Sequence, residues 1–204
     1  NSFFNQSSIE QISEFKNKTD VVYAANVICH VPNLPDLIKS VDKLLTKNGV
    51  FIFEEPYLGS MFEKTSYDQI YDEHIFMFSG SAIQKIFNLF DMELIDLIKQ
   101  PTHGGSMRYV VARKGTQKIQ KNVTIILDQE KLANLDNYSF CKKFKENCEN
   151  SKIRLKKLLN DYKNEGKKIA GYAATSKSTT ILNYCKIGTD IIDYICDTTD
   201  EKIN

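Results

Sequence analysis

Apolar residues recur along this chain in two rhythms: short unbroken runs, and stripes spaced three and four apart. The runs Val21-Val22-Tyr23-Ala24-Ala25 and Val50-Phe51-Ile52-Phe53 predict buried parallel strands, where both faces are covered and alternation is lost. Between them Leu34, Leu37, Ile38, Val41, Leu44 and Leu45 fall on one side of a helix, so a helix joins the two strands. Asn33 caps it, Pro35 sits in its first turn, and Asn48-Gly49 closes it, since glycine tolerates the left-handed closing conformation. Upstream, Asn1 to Asn5, with Phe3 and Phe4, reads as the tail of a strand. Ser7 or Ser8 then caps a short helix with Ile9, Ile12 and Phe15 inward.

Further along, Ser79 or Ser81 caps a helix with Ile83, Ile86, Phe87 and Phe90 inward. Met92 to Ile98 and Met107 to Ala112 predict two strands paired antiparallel, and residues 114–124 are polar enough to mark a boundary. A long helix follows from Ser139 to Asn164, with Phe140, Phe144, Cys148, Leu155, Leu158 and Tyr162 as its stripe; Gly166 stops it. Lys168 to Tyr172 starts a fresh strand. Residues 173–180 turn into a helix carrying Ile181, Leu182 and Tyr184, and Ile191 to Cys196 is a second strand ending in Asp197. Alternating strands and helices predict an α/β protein with a largely parallel sheet. No glycine-rich phosphate loop follows a strand in this chain. The sequence reads as cut at both ends.

Composition narrows the function. Lysine and arginine number 27 against 26 aspartate and glutamate, a balance that points to no polyanion and so to no nucleic acid. No apolar run is long enough to span a bilayer. The five cysteines form no CxxC pair, which predicts reduced thiols in a cytoplasmic protein.

Ionisable residues gather in the loops. Asp68-Gln69-Ile70-Tyr71-Asp72-Glu73-His74-Ile75-Phe76 brings a phenol, carboxylates and an imidazole beside an apolar wall, a setting for proton transfer as well as the pattern of a charged surface loop. The chain's three histidines, His30, His74 and His103, each lie in a polar loop, and imidazole suits a base because its ordinary pKa is about 6.5. Gly104 and Gly105 let backbone amides approach a ligand, though a tight hairpin turn needs them equally. Residues 173–180 expose amides at a helix start beside Lys177, which suits an anion or a solvated lysine alike.

Five motifs, in order, resemble the S-adenosylmethionine-dependent sugar C-methyltransferases over nearly the whole chain. They are Asn26-Val27-Ile28-Cys29-His30-Val31, Glu54-Glu55-Pro56-Tyr57-Leu58, Tyr67-Asp68-Gln69-Ile70-Tyr71-Asp72-Glu73-His74, Thr102-His103-Gly104-Gly105-Ser106, and Gly171-Tyr172 through Leu182-Asn183-Tyr184-Cys185. That family methylates C3 of a nucleotide-linked 4-keto-deoxyhexose. The resemblance implies the later part of a Rossmann-type methyltransferase domain over residues 1–116, a linker and long helix over 117–166, and the start of an α/β sugar-nucleotide domain over 167–204. It implies His74 as the base, Tyr71 as donor to the keto oxygen, Glu73 orienting the sugar or imidazole, and His30 completing the wall. Asn26 and Asn5 would contact the cofactor; His103, Gly104, Gly105 and Lys177 would contact the nucleotide sugar. The family's zinc cysteines and cofactor loop would lie upstream of Asn1, so no metal ligand is expected in this chain. Asp72 stands where the family usually has histidine. A sugar O-methyltransferase and a non-catalytic binding module are the alternatives.

Overall fold

The computed structural model describes residues 4–202, so Asn1 to Phe3 of the expected leading strand lie outside the described residues. Asn5 caps helix α1 (Gln6–Gln11), its Oδ1 accepting from the Ser8 amide at 2.9 Å. Strand β1 (Thr19–Ala25), helix α2 (Leu34–Leu44) and strand β2 (Leu45–Pro56) form a parallel strand-helix-strand step. Helices α3 (Leu58–Lys64) and α4 (Gly80–Asn88) lead to the antiparallel pair β3 (Met92–Gln100) and β4 (Ser106–Arg113). The strand order is β1-β2-β4-β3. One parallel pairing and two antiparallel ones make a mixed sheet rather than a largely parallel one. The architecture is mixed α/β.

The chain divides into two units, Asn1–Met61 with Glu73–Asp136, and Phe62–Asp72 with Asn137–Asn204. The core of the first is aromatic at its centre: Phe53 stacks on Phe51 and on Tyr109, each at 4.9 Å between centroids, an arrangement that adds to the burial energy of the rings. Two expectations change here. β1 is not buried: it lies at the edge of the described sheet, with Val21 51% and Tyr23 59% exposed. Helix α2 ends at Leu44, not at Gly49, because Arg113 takes over its last turn. The guanidinium bonds Asp42 Oδ1 at 2.7 Å and the Thr46 carbonyl at 2.6 Å, and reaches the Asp42 and Leu45 carbonyls, a favourable cation at a helix C-terminus. Gly49 lies within β2, where a Cβ would meet the Thr19 carbonyl oxygen at 2.9 Å.

The stretch 117–166, read from sequence as a linker and one long helix, also contains helix α5 (Lys121–Leu132), whose Val123 and Ile126 join the first unit's core. Its Glu130, 4% exposed, accepts from Tyr57 Oη at 2.9 Å and the Gly80 amide at 2.7 Å through Oε1, and from the Ser81 amide at 2.9 Å through Oε2. A carboxylate from one helix thus caps the N-terminus of another.

The second unit is built on helix α6 (Tyr138–Asn164), with strand β5 (Ala170–Tyr172), helix α7 (Ser176–Cys185) and strand β6 (Tyr194–Cys196) parallel to β5. Helix α6 ends before Gly166, whose φ is +77°. Its buried side differs by one step from the expected stripe: Leu159 packs inward, while Leu158 is 50% and Tyr162 46% exposed. Tyr67 is buried among Cys148, Cys185 and Ile187, its hydroxyl 3.4 Å from Cys185 Sγ, and burial pushes its ionisation up to about 12. Tyr184 donates to Glu149 at 2.7 Å, and that bond is the leading cause holding the Glu149 carboxyl below its usual range. A depressed carboxyl stabilises the fold above its unfolded pKa and loses that contribution as pH falls through its folded value. The urea midpoints of the native chain and Tyr184→Phe should therefore converge as pH is lowered from about 6 to about 3. A gap independent of pH would assign the bond no such role.

Candidate functional site

Strand β2 alternates inward Phe51, Phe53 and Glu55, so its period of two carries a carboxylate into the interior at its carboxyl end. Glu55 is fully buried, and its Oε1 accepts from the Val27 amide at 3.0 Å and the Ile28 amide at 2.6 Å. Those amides begin the turn after β1. Asn26 enters that turn in the left-handed region, φ +53°, with its own amide on the Glu54 carbonyl at 2.8 Å. Asparagine is among the residues that adopt this conformation at least cost. Its side chain is exposed at the carboxyl edge of the sheet, where open α/β sheets bind ligands.

The turn continues as a short 3-10 segment, Ile28–His30, and fixes the histidine loop from behind. The Cys29 carbonyl accepts from the Ile75 amide at 3.0 Å and the Phe76 amide at 3.3 Å. His30 Nδ1 meets the Glu73 carbonyl at 2.6 Å, and the His30 and His74 rings lie 5.1 Å apart between centroids at 48°. A carbonyl only accepts, so Nδ1 carries the proton and Nε2 of the neutral ring holds the lone pair. Both rings are half-buried, whereas Glu73 is exposed and acts on His30 through its main chain. The Cys29 thiol is 1% exposed, and burial first, then the Glu55 carboxylate, push its ionisation far up.

Asn5 is spent locally, its Oδ1 taking the Ser8 amide and the Ser7 hydroxyl. His103 sits at φ +52° in the exposed β3–β4 turn, followed by Gly104 at φ +81° and Gly105 at φ +129°. The Gly105 carbonyl takes the Tyr57 amide at 3.1 Å, so this turn is tied to the end of β2. On the same sheet Arg108 pairs with Glu54.

Tyr71 and Asp72 belong to the second unit. They line a hollow of about 370 Å³ with Thr175, Ser176, Asn183 and Lys202. The start of α7 is capped by Thr175, whose hydroxyl accepts from the Ser178 amide at 3.1 Å. Lys177 does not line this hollow; Lys202 does, with Nζ donating to the Ala174 carbonyl at 2.8 Å. Sequence reasoning missed Glu55, Cys29 and Lys202. Strand alternation through Phe51 and Phe53 was the available signal for Glu55; the other two come together with their neighbours only in the fold.

Residues 101–204 match the C-methyltransferase C-terminal domain, and residues 1–97 match a methyltransferase domain. The C-methyltransferase NovU of Streptomyces niveus is 25% identical over 191 residues, covering 93% of this chain. The chain spans 46% of that protein's length. The boundary between the two matches falls at the β3–β4 hairpin, whereas the structural units divide after Met61, Asp72 and Asp136. Among the described residues no helix is long and apolar enough to cross a membrane.

Proposed function

Because this chain belongs to the C-methyltransferase family, we propose that it forms the later part of an S-adenosylmethionine-dependent enzyme that methylates carbon on a nucleotide-linked keto-deoxysugar. The observation that carries this reading is the pairing of His74 with His30 on a turn anchored by the buried Glu55. Methyl transfer to carbon requires a carbanion-like centre, so a proton next to the ketone must leave first. His74 takes that proton. His30, held by the Glu73 carbonyl with its Nε2 lone pair free of the proton, stands beside the imidazolium that forms and limits its cost. By the resemblance Tyr71 donates to the keto oxygen as it becomes an oxyanion.

When bound, the sulfonium cofactor supplies an electrophilic methyl group. Asn26, exposed at the carboxyl end of β1 in a left-handed turn, fits a contact to it; Asn5, committed to its helix cap, fits less well. Lys202 and the hydroxyls at the start of α7 suit the diphosphate of the substrate better than Lys177 does.

The test is to incubate the protein carrying this chain with S-adenosylmethionine and a 4-keto nucleotide sugar, then locate the new methyl by NMR. A methyl on the carbon beside the ketone is the expected result. A methyl on oxygen would make it an O-methyltransferase, and binding of the sugar nucleotide with no transfer would make it a binding module.

A further inference from the structure

Cys29 has no part in the reaction above, yet its sulfur lies among the groups that do. One ligand atom each from Cys29, His30 and His74 lies within 4.8 Å of the others. Bonds of about 2.0–2.3 Å to a tetrahedral cation place ligand atoms roughly 3.3–3.6 Å apart. Binding therefore draws the three atoms closer than the 4.8 Å within which they lie.

Four features favour a cation there. Thiolate sulfur with imidazole nitrogen is a donor set for zinc-class cations, not for magnesium or calcium. His30 is oriented from behind by the Glu73 carbonyl with its Nε2 lone pair available, the usual support of a metal-bound histidine. The Ile75 and Phe76 amides on the Cys29 carbonyl hold the two ligand-bearing segments together. Finally, the fully buried Glu55 carboxylate neighbours the Cys29 thiol. A cation on that sulfur offsets the buried negative charge when the thiol proton leaves.

We propose that Cys29, His30 and His74 form a three-ligand site for a zinc-class divalent cation, with water as fourth ligand, and that its occupancy withdraws His74 from proton abstraction. The site stands on its own geometry; only its inhibitory consequence rests on His74 being the base. On binding, the S–H bond breaks, its proton passes to water, and a sulfur–metal bond forms with no change of oxidation state.

The probe is cobalt(II) added to this chain. A one-to-one complex with tetrahedral visible bands and thiolate charge-transfer absorption is expected. Cys29→Ser should abolish the charge-transfer band, while Cys141→Ser with Cys196→Ser, which removes the exposed thiols, should leave it. His30→Gln and His74→Gln should each weaken affinity at least about tenfold; being half-exposed, they decide the matter if Cys29→Ser fails to fold. No tetrahedral spectrum, or one that follows the exposed thiols, overturns the site. Cobalt bound as described, together with normal proton exchange by His74→Asn, would uphold the site but remove the base assignment and, with it, the inhibitory consequence.

Discussion

Replacing His74 by asparagine should slow exchange of the proton next to the ketone, measured in heavy water, by about 10²–10⁴-fold, the usual contribution of a positioned base. The ring is half-buried and lies 5.1 Å from His30 on a loop whose main chain is held by the Cys29 carbonyl. Asparagine keeps a polar side chain of similar reach on a backbone held by neighbours, so the fold is retained and substrate affinity changes little. The loss should appear in the rate constant rather than in KM, as expected for an interaction made in the transition state. His30→Asn should cost less, because it removes support for the charged ring and not the base. An unaltered exchange rate in His74→Asn would end the assignment.

Glu130→Ala should lower stability by about 3–5 kcal/mol, the range for removing one partner of a buried charged network. Its carboxylate is 4% exposed and serves Tyr57 Oη and the Gly80 and Ser81 amides together. Alanine takes the acceptor from the buried Gly80 amide, and helix α4 loses part of its cap. Glu130→Gln keeps an acceptor oxygen but presents an amide to donors, and should fall between the two. Urea midpoints at neutral pH measure the series. A Glu130→Ala midpoint equal to that of the native chain would show that water satisfies those groups.

Legibility in the sequence tracked how local each cause is. Helix α2 and the β3–β4 hairpin were readable because a cap, a stripe or a pair of strands lies within a few neighbouring residues. Helix α5 was not. Its inward positions are few, and one is Glu130, a residue whose burial depends on donors some fifty positions away. The end of α2 was misplaced for the same reason, since Arg113 supplies its closing bonds from another strand. In the site, the resemblance identified the histidine loop, and the fold brings His30 and His74 together. Glu55 lay open to strand alternation through Phe51 and Phe53, yet only the fold shows the amides it serves. Cys29 was unreadable, because a thiol's neighbours belong to the tertiary structure.

The Phe62–Asp72 segment leaves the first unit and lends Tyr67 to the interior of the second before the chain returns. The later unit is therefore not a self-contained piece of sequence. Scission at Asp136 would yield a C-terminal peptide with a hole where that ring belongs, and such a peptide should stay unfolded until the missing strip is supplied, even as a separate synthetic stretch.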